Sequence, residues 1–455
     1  MDSNRTVNIQ TFLNEQRFSG FQWLVFALCF LVVLLDGFDT AAIGFVAPSL
    51  LKEWGVSRPA LGPVLSAALF GLATGAFAAG PLADRLGRKL VLTAAVAVFG
   101  LGCGASAFAA DLDQLTVLRF ITGLGLGAAM PNAVTLMGEY CPDHRRAMLT
   151  NTMFCGFPLG AAFGGFLAAW MIPLWGWRSV FLLGGIAPLV LTLLMVLFLP
   201  ESVRYMVAKA LPVERIKASL RRISHTIETA TTLVMTERAA PKAAKGGIGV
   251  VLSRKYVVGS AMLWLTYFMG LVIFYSLINW MPILFKDVGL DAKTAALISA
   301  LFPLGGVGAV FFGFLMDRFN ANRVIAIGFA LTAVGIWAIG QVGNAVGPLM
   351  VVVFVAGALM NMSQTSLPTL AAAFYPTQGR ATGVAWMMGI GRFGGIAGSF
   401  IVAELTRRHL GFSEIFTVMA VPGVIAAIAL VIKEAAHPED VTEQEFVRGD
   451  PALGH

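Results

Sequence analysis

The sequence predicts an all-α integral membrane protein with twelve transmembrane helices in two six-helix bundles. Three observations lead there. The chain has 455 residues, of which 57% are hydrophobic and only 13% charged. A soluble domain of this length does not carry that balance, and apolar stretches of about 20 residues recur along the chain, each long enough to cross a bilayer. The bases between those stretches fall mainly in alternate connections. The second half of the chain also repeats the first at a nearly constant offset.

The elements follow in order. Residues 1–20 are polar. The first apolar run, about 22–47, is longer than a signal-peptide core and contains acids, so it is expected to be retained. Further helices are expected at about 60–82, 90–109, 114–138, 148–172 and 178–199, closing an N-terminal bundle over 1–200. A polar segment, 201–254, comes next, with an amphipathic stretch from Val213 to Ile227 and a loose linker from Ala239 to Gly247. A C-terminal bundle over 255–433 holds helices at about 256–284, 293–315, 323–342, 347–372, 380–404 and 414–432, and 434–455 form a polar tail. The 50 glycines fit helices that pack closely in lipid.

Charge sets the expected orientation. With both termini in the cytoplasm, Arg85, Arg88, Lys89, His144, Arg145, Arg146, the 201–254 segment, Arg318, Arg323 and Arg380 share that side. The opposite connections hold fewer bases, with Arg407-Arg408 as the exception. The net charge of +7 is thus accounted for by membrane topology rather than by nucleic acid. The four cysteines, Cys29, Cys103, Cys141 and Cys155, show no paired spacing, so neither a disulfide framework nor a metal site is expected, and no cofactor is implied.

The repeat is explicit. Gly80-Pro-Leu-Ala-Asp84-Arg85 aligns with Gly313-Phe-Leu-Met-Asp317-Arg318 at a shift of 233. Pro48, Lys52 and Gly55 align with Pro282, Lys286 and Gly289, and Pro142 and Arg146 with Pro376 and Arg380, at a shift of 234. Parallel repeats of this kind build transporters whose substrate site lies between the halves near the midplane.

Gly80-Pro-Leu-Ala-Asp84-Arg85-Leu-Gly87-Arg88-Lys89 resembles the loop 2–3 signature of the major facilitator superfamily, and the second copy at Gly313–Arg323 is a weaker version without the second glycine. Asp36-Gly-Phe-Asp39, Glu139-Tyr140-Cys-Pro142 with Arg146, Tyr375-Pro376 with Arg380, and Gly391-Arg392-Phe-Gly394 are similar to the aromatic acid:proton symporter family within it, in particular to transporters of the 4-hydroxybenzoate/protocatechuate type. The resemblance implies a proton-coupled importer of an aromatic carboxylate, of the benzoate/hydroxybenzoate class, working by alternating access. It further implies a monomer in a bacterial inner membrane. Pro200-Glu201-Ser202-Val-Arg204-Tyr205 resembles a segment shared by several branches of the superfamily and is read as a gating or capping element.

The intramembrane charges carry the mechanism. Asp36 and Asp39 lie in a run with no Lys or Arg between Arg17 and Lys52, and an ionisable group at membrane depth costs roughly 3 kcal/mol or more, which marks a functional site. Three residues apart, they share a helix face. Arg119 in the fourth helix lies at similar depth and is expected to pair with Asp39, Asp36 or both, as a proton-coupling group in which two acids compete for one Arg. Arg392, mid-way along the eleventh helix, is the candidate clamp for a substrate carboxylate. Asn151, Phe154, Tyr275, Asn279, Asn361 and Gln364 are the remaining substrate-binding candidates. Asp84, Arg85, Arg88, Glu139, Arg146, Asp317, Arg318, Tyr375 and Arg380 are candidate gating residues. A drug:proton antiporter, weakly indicated by Gly156-Phe-Pro158-Leu-Gly160, and a muconate-type dicarboxylate symporter are the alternatives. An enzyme is not expected, because His144, His225, His409, His437 and His455 all fall in loops, interfaces or tails.

Overall fold

A computed structural model describes residues 6–209, 211–224, 227, 232–234, 247–308, 315–316, 318–375 and 377–436. A short strand β1, Thr6–Asn8, and helix α1, Ile9–Glu15, precede the membrane helices. The first half comprises α2 (Gly20–Trp54), α3 (Leu61–Leu86), α4 (Arg88–Ser106), α5 (Leu112–Glu139), α6 (Asp143–Phe154), α7 (Gly156–Trp175) and α8 (Arg178–Phe198). The short helices α9 (Val203–Ala208) and α10 (Val213–Arg221), the strand β2 (Thr232–Val234) and α11 (Gly247–Val251) lead to the second half. That half comprises α12 (Val257–Asp287), α13 (Ala292–Leu304), α14 (Ala321–Val342), α15 (Val346–Phe374), α16 (Thr377–Arg407) and α17 (Phe412–Ala436). Among the described residues, 11 helical stretches are long and apolar enough to cross a bilayer. The eighth expected span is represented by α13 and a 3-10 turn at Gly305–Gly308.

Three helices depart from the sequence-based bounds. α2 does not stop before Pro48. Ser19 and Gln22 form a capping box at its start, and Gly55, at φ +63°, ends it in the left-handed conformation that glycine alone adopts without strain. Pro48 removes one hydrogen bond to the carbonyl of Gly44, yet packing of Gly44 against the backbone of Ile278 and Asn279 in the other half holds the helix through it. The fifth expected helix starts earlier, at Asp143, and breaks at Cys155 into α6 and α7. Pro158 explains the break, because its ring displaces the carbonyl four residues back, that of Phe154. α16 likewise begins earlier than expected, at Thr377.

Glycine lets the helices meet backbone to backbone, and the repeat is visible in these contacts. A Cβ on Gly160 would stand 1.8 Å from the carbonyl oxygen of Leu34, and one on Gly394 would stand 2.2 Å from that of Phe268. Both residues of the second pair lie 234 positions after those of the first. Gly123 on Ala68 and Gly357 on Phe302 form another such pair, at 2.0 and 2.1 Å. The same two interhelical joints are therefore built once in each half.

With α13 counted as a crossing, the described helices cross twelve times, so the start of α2 and the end of α17 lie on one face, the terminal face. The halves meet from mid-depth to the opposite, distal face. Phe157 packs on Phe274 with ring centroids 5.9 Å apart, Gly165 faces Ala300, and Gly62 faces Ala403. At the distal surface Arg58 pairs with Asp287 at 2.6 Å across the two halves. The distal side is closed.

On the terminal face the N-terminus is structured rather than a plain polar leader. β1 pairs in parallel with β2, Thr6 opposite Thr232. Asn8 caps α1 by accepting from the N–H groups of Gln10 and Thr11. Ile9, Phe12 and Leu13 of α1 are buried in the same apolar cluster as Ile216 and Leu220 of α10. The expected amphipathic stretch after Val213 thus becomes α10, with its apolar face against the first half. The linker 239–246 and the tail beyond 436 lie outside the described residues.

Candidate functional site

Five helices, α2, α5, α12, α15 and α16, bring polar side chains to the middle of the molecule. α2 supplies Asp36 and Asp39, and the two acids part company. Asp39 turns into the first half, where Arg119 of α5 donates to both its carboxylate oxygens at 2.7 and 2.9 Å and to its backbone carbonyl at 3.2 Å. The pair is sealed: Asp39 is 1% exposed and Arg119 0%. The guanidinium also lies 5.5 Å from the ring centroid of Phe181 and 4.0 Å from the Cys103 sulfur.

Asp36 does not share this arginine, which corrects the expectation of two acids competing for it. At three residues' separation the side chains diverge by about 60° around the helix, enough to send one into the bundle and one into the gap between halves. Asp36 accepts from the Thr40 hydroxyl at 3.4 Å. Across the gap it lies within electrostatic reach of Arg392 on α16 and Tyr275 on α12.

Arg392 has no ion-pair partner among the described residues. Glu404, an acid on its own helix, instead pairs with Arg407 at 2.7 Å and Arg408 at 2.8 Å. That also explains the exceptional distal Arg-Arg pair, since the acid offsets one of its two charges. Around Arg392, α16 presses on α12: a Cβ on Gly391 would overlap the Tyr267 ring at 2.1 Å and one on Gly395 would meet the Tyr275 ring at 2.6 Å. The glycines flanking Arg392 therefore seat both tyrosines beside it.

The other candidates divide. Asn279 donates to the Ser399 hydroxyl at 3.0 Å and lines a narrow crevice with Thr40, Ile43, Leu65 and Tyr275. Among the described residues its buried Oδ1 has no hydrogen-bond partner. Gln364 donates to the Tyr267 carbonyl at 3.4 Å and fills the notch left by Gly270, where an added Cβ would stand 1.8 Å from its Oε1. Gly270 is the repeat counterpart of Asp36, so the second half has an amide where the first has an acid. Asn361 uses its amide on the carbonyls of Gly357 and Phe302, at 2.8 and 3.3 Å, which is a packing role. Phe154 is half-buried at the end of α6. The side chain of Asn151 lies outside the description. Thr40, Phe157 and Phe274 escaped the sequence reading; the signal available for Phe157 was its place between Gly156 and Pro158, at the break.

The expected gating residues assemble mainly within the first half. Arg88 pairs with Glu139 at 3.0 Å, and the Ser202 hydroxyl donates a short bond to the same acid. Glu201 accepts from the backbone N–H of Lys89 at 3.0 Å, just past Gly87, whose φ of +98° opens the start of α4 to it. The Tyr205 hydroxyl donates to the Arg85 carbonyl at 3.3 Å. The 200–205 segment is thus a clamp joining loop 2–3 to the end of α5. The second half has a counterpart, Arg323 with Glu434 at 2.7 Å. Arg146 donates to Gln10 of α1 at 3.2 Å. Tyr375 donates to Ser260 at 2.9 Å and is buried in the second half. Arg318 is exposed at the start of the second loop. Asp317 and the side chains of Asp84 and Arg380 lie outside the described residues.

The Major Facilitator Superfamily profile matches residues 29–310 and 263–452. The chain belongs to the major facilitator superfamily. Within the superfamily it is 48% identical over 440 residues to the 4-hydroxybenzoate transporter PcaK of Pseudomonas putida, covering 96% of this chain and 98% of that one. It is 45% identical over 426 residues to a gallate transporter of the same species, covering 93% and 94% of the two chains. The inward-open structure of the Escherichia coli xylose transporter XylE covers 90% of this chain and 95% of its own at a TM-score of 0.70 and 20% identity, a likeness of fold. As a superfamily member whose relatives are named transporters, the chain is a transporter and not an enzyme.

Proposed function

We propose that the protein imports an aromatic carboxylate of the benzoate/hydroxybenzoate class by proton symport, with alternating access between its two halves. The observation that carries the reading is Arg392. It is a guanidinium between the two halves, without an ion-pair partner among the described residues, flanked by Tyr267 and Tyr275, and Tyr275 in turn packs on Phe274 of the Phe157–Phe274 aromatic pair with ring centroids 5.3 Å apart. A planar guanidinium binds a carboxylate through two hydrogen bonds, and aromatic walls suit a flat ring. The 4-hydroxybenzoate and gallate transporters among the relatives carry ligands of that chemistry by name.

The buried charges Asp36, Asp39 and Arg119 form the proton-coupling region, and Tyr275, Asn279 and Gln364 line the substrate path. With the chain ends in the cytoplasm of a bacterial inner membrane, the inside-negative potential opposes entry of an anion by about 2.3 kcal/mol per 100 mV. A proton carried with the anion removes that opposition. In the cycle, substrate and proton enter from the distal face, the Arg58–Asp287 pair re-forms as that face closes, and both leave toward the terminal face. The clamp around Glu139, Arg88 and Glu201 holds loop 2–3 as the halves rock, with Asp84, Arg85, Arg146, Asp317, Arg318, Tyr375 and Arg380 as further gating residues. One polypeptide supplies every part, so a monomer suffices.

The test is uptake of a labelled panel of aromatic acids into vesicles of the purified protein under an imposed pH gradient. Accumulation of hydroxybenzoates is the expected result. Failure of every aromatic acid to accumulate refutes the substrate class.

A further inference from the structure

We infer that Asp36 is the residue that takes up the transported proton, while Asp39 stays ionised on Arg119 throughout the cycle. The inference rests on the symport reading above and assigns its proton to one of two acids.

Asp39 is a poor carrier. Both carboxylate oxygens and its backbone carbonyl are engaged by one guanidinium, and neither partner is more than 1% exposed. A proton on Asp39 would leave Arg119 as an unpaired charge inside an apolar bundle, the costly outcome for a buried pair. The walls on that side, Phe181 and the Cys103 thiol, offer the guanidinium no second anion.

Asp36 is placed differently. Its partners are one hydroxyl, Thr40, at 3.4 Å, and the field of Arg392 from the opposite half. The titratable and charged groups facing it are Asp39 on its own helix, Tyr275 on α12 and Arg392 on α16. Neutralising Asp36 strands no cation in the first half. It frees Arg392 instead.

Asp36 and an incoming substrate carboxylate therefore compete for the same guanidinium. When the substrate takes Arg392, an ionised Asp36 is left in a closing, dry gap without counter-charge, and a proton from bulk solvent on its oxygen removes that cost. The same proton departs when the substrate leaves and the charge of Arg392 again balances an ionised Asp36 across the gap. In the empty state the charges of Arg392 and Asp36 cancel. In the loaded state those of Arg392 and the substrate cancel, and Asp36 is neutral. One anion thus travels with one proton, and the gap between the halves has no net charge in either state.

The experiment uses full-length protein in liposomes with labelled 4-hydroxybenzoate. Asp36→Asn is expected to exchange substrate across the membrane but not to accumulate it under a pH gradient. It is also expected to lose the dependence of exchange on pH, which in the wild type falls by up to about tenfold per pH unit above the midpoint. Asp36→Glu, which keeps a carboxyl at that position, retains a pH-dependent exchange with a shifted midpoint. A second readout does not need turnover: infrared difference spectra on adding 4-hydroxybenzoate should show a protonated-carboxyl band that Asp36→Asn removes and Asp36→Glu retains at a shifted frequency. Gradient-driven accumulation by Asp36→Asn, or a band that survives in it, overturns the assignment. Wild-type protein that exchanges no aromatic acid overturns instead the transport reading on which the assignment rests.

Discussion

Removing Arg119 alone should cost far more than removing the whole Asp39–Arg119 pair. The perturbation is Arg119→Leu, compared with Asp39→Leu and the double variant. In the folded protein the guanidinium makes two bonds to the carboxylate, at 2.7 and 2.9 Å, with both groups buried. At a separation of charge centres near 4 Å the attraction is about 4 kcal/mol at an effective dielectric of about 20. Burial of both ions offsets most of that gain. Taking away one partner leaves the other uncompensated, a loss of about 3–5 kcal/mol, whereas an apolar pair of similar volume is close to neutral. The assay is the thermal midpoint of the purified protein in detergent, followed by its tryptophan fluorescence. Each single variant should unfold well below the wild type, and the double variant should recover most of the difference. If the single losses are under about 1 kcal/mol, or simply add in the double variant, the pair is not the sealed unit described here.

Other expectations follow from the same geometry. Arg392→Lys replaces a two-bond fork by a point charge, so affinity for 4-hydroxybenzoate should fall by tenfold or more in a binding assay. Gly160→Val and Gly394→Val place side chains where repeated backbone contacts leave 1.8 and 2.2 Å; each should cost about 1–3 kcal/mol or prevent folding, with similar losses at both sites. Arg58→Gln removes a half-exposed ion pair that spans the halves; the gain in distal-open molecules should be modest, up to about fivefold for about 1 kcal/mol, as read by spin-label distances across that face.

The fold was legible because membrane helices announce themselves by length and hydropathy, and because 234-residue pairs such as Pro142 and Pro376 survived in both halves. The Asp39–Arg119 pair was legible because few intramembrane charges leave few possible partners. The part Asp36 plays was not. Sharing a face predicts a common neighbourhood, but a 60° divergence on α2 was enough to split the two acids between bundle and gap. The break at Cys155 was readable in principle from Pro158, whose effect falls on the carbonyl of Phe154. The structured N-terminus was not, since Ile9, Phe12 and Leu13 become an apolar face only when α10 and the end of α5 supply something to cover. The clamp made by Glu201 depends on the backbone angle at Gly87 and on chain segments over a hundred residues apart.

The most direct test of the account compares wild-type protein with Arg392→Gln in proteoliposomes. Initial uptake of labelled 4-hydroxybenzoate is measured under a pH gradient with the membrane potential clamped to zero. The account predicts accumulation by the wild type and its loss in Arg392→Gln, with the variant folded as judged by its thermal midpoint. Accumulation by Arg392→Gln at the wild-type level would contradict it.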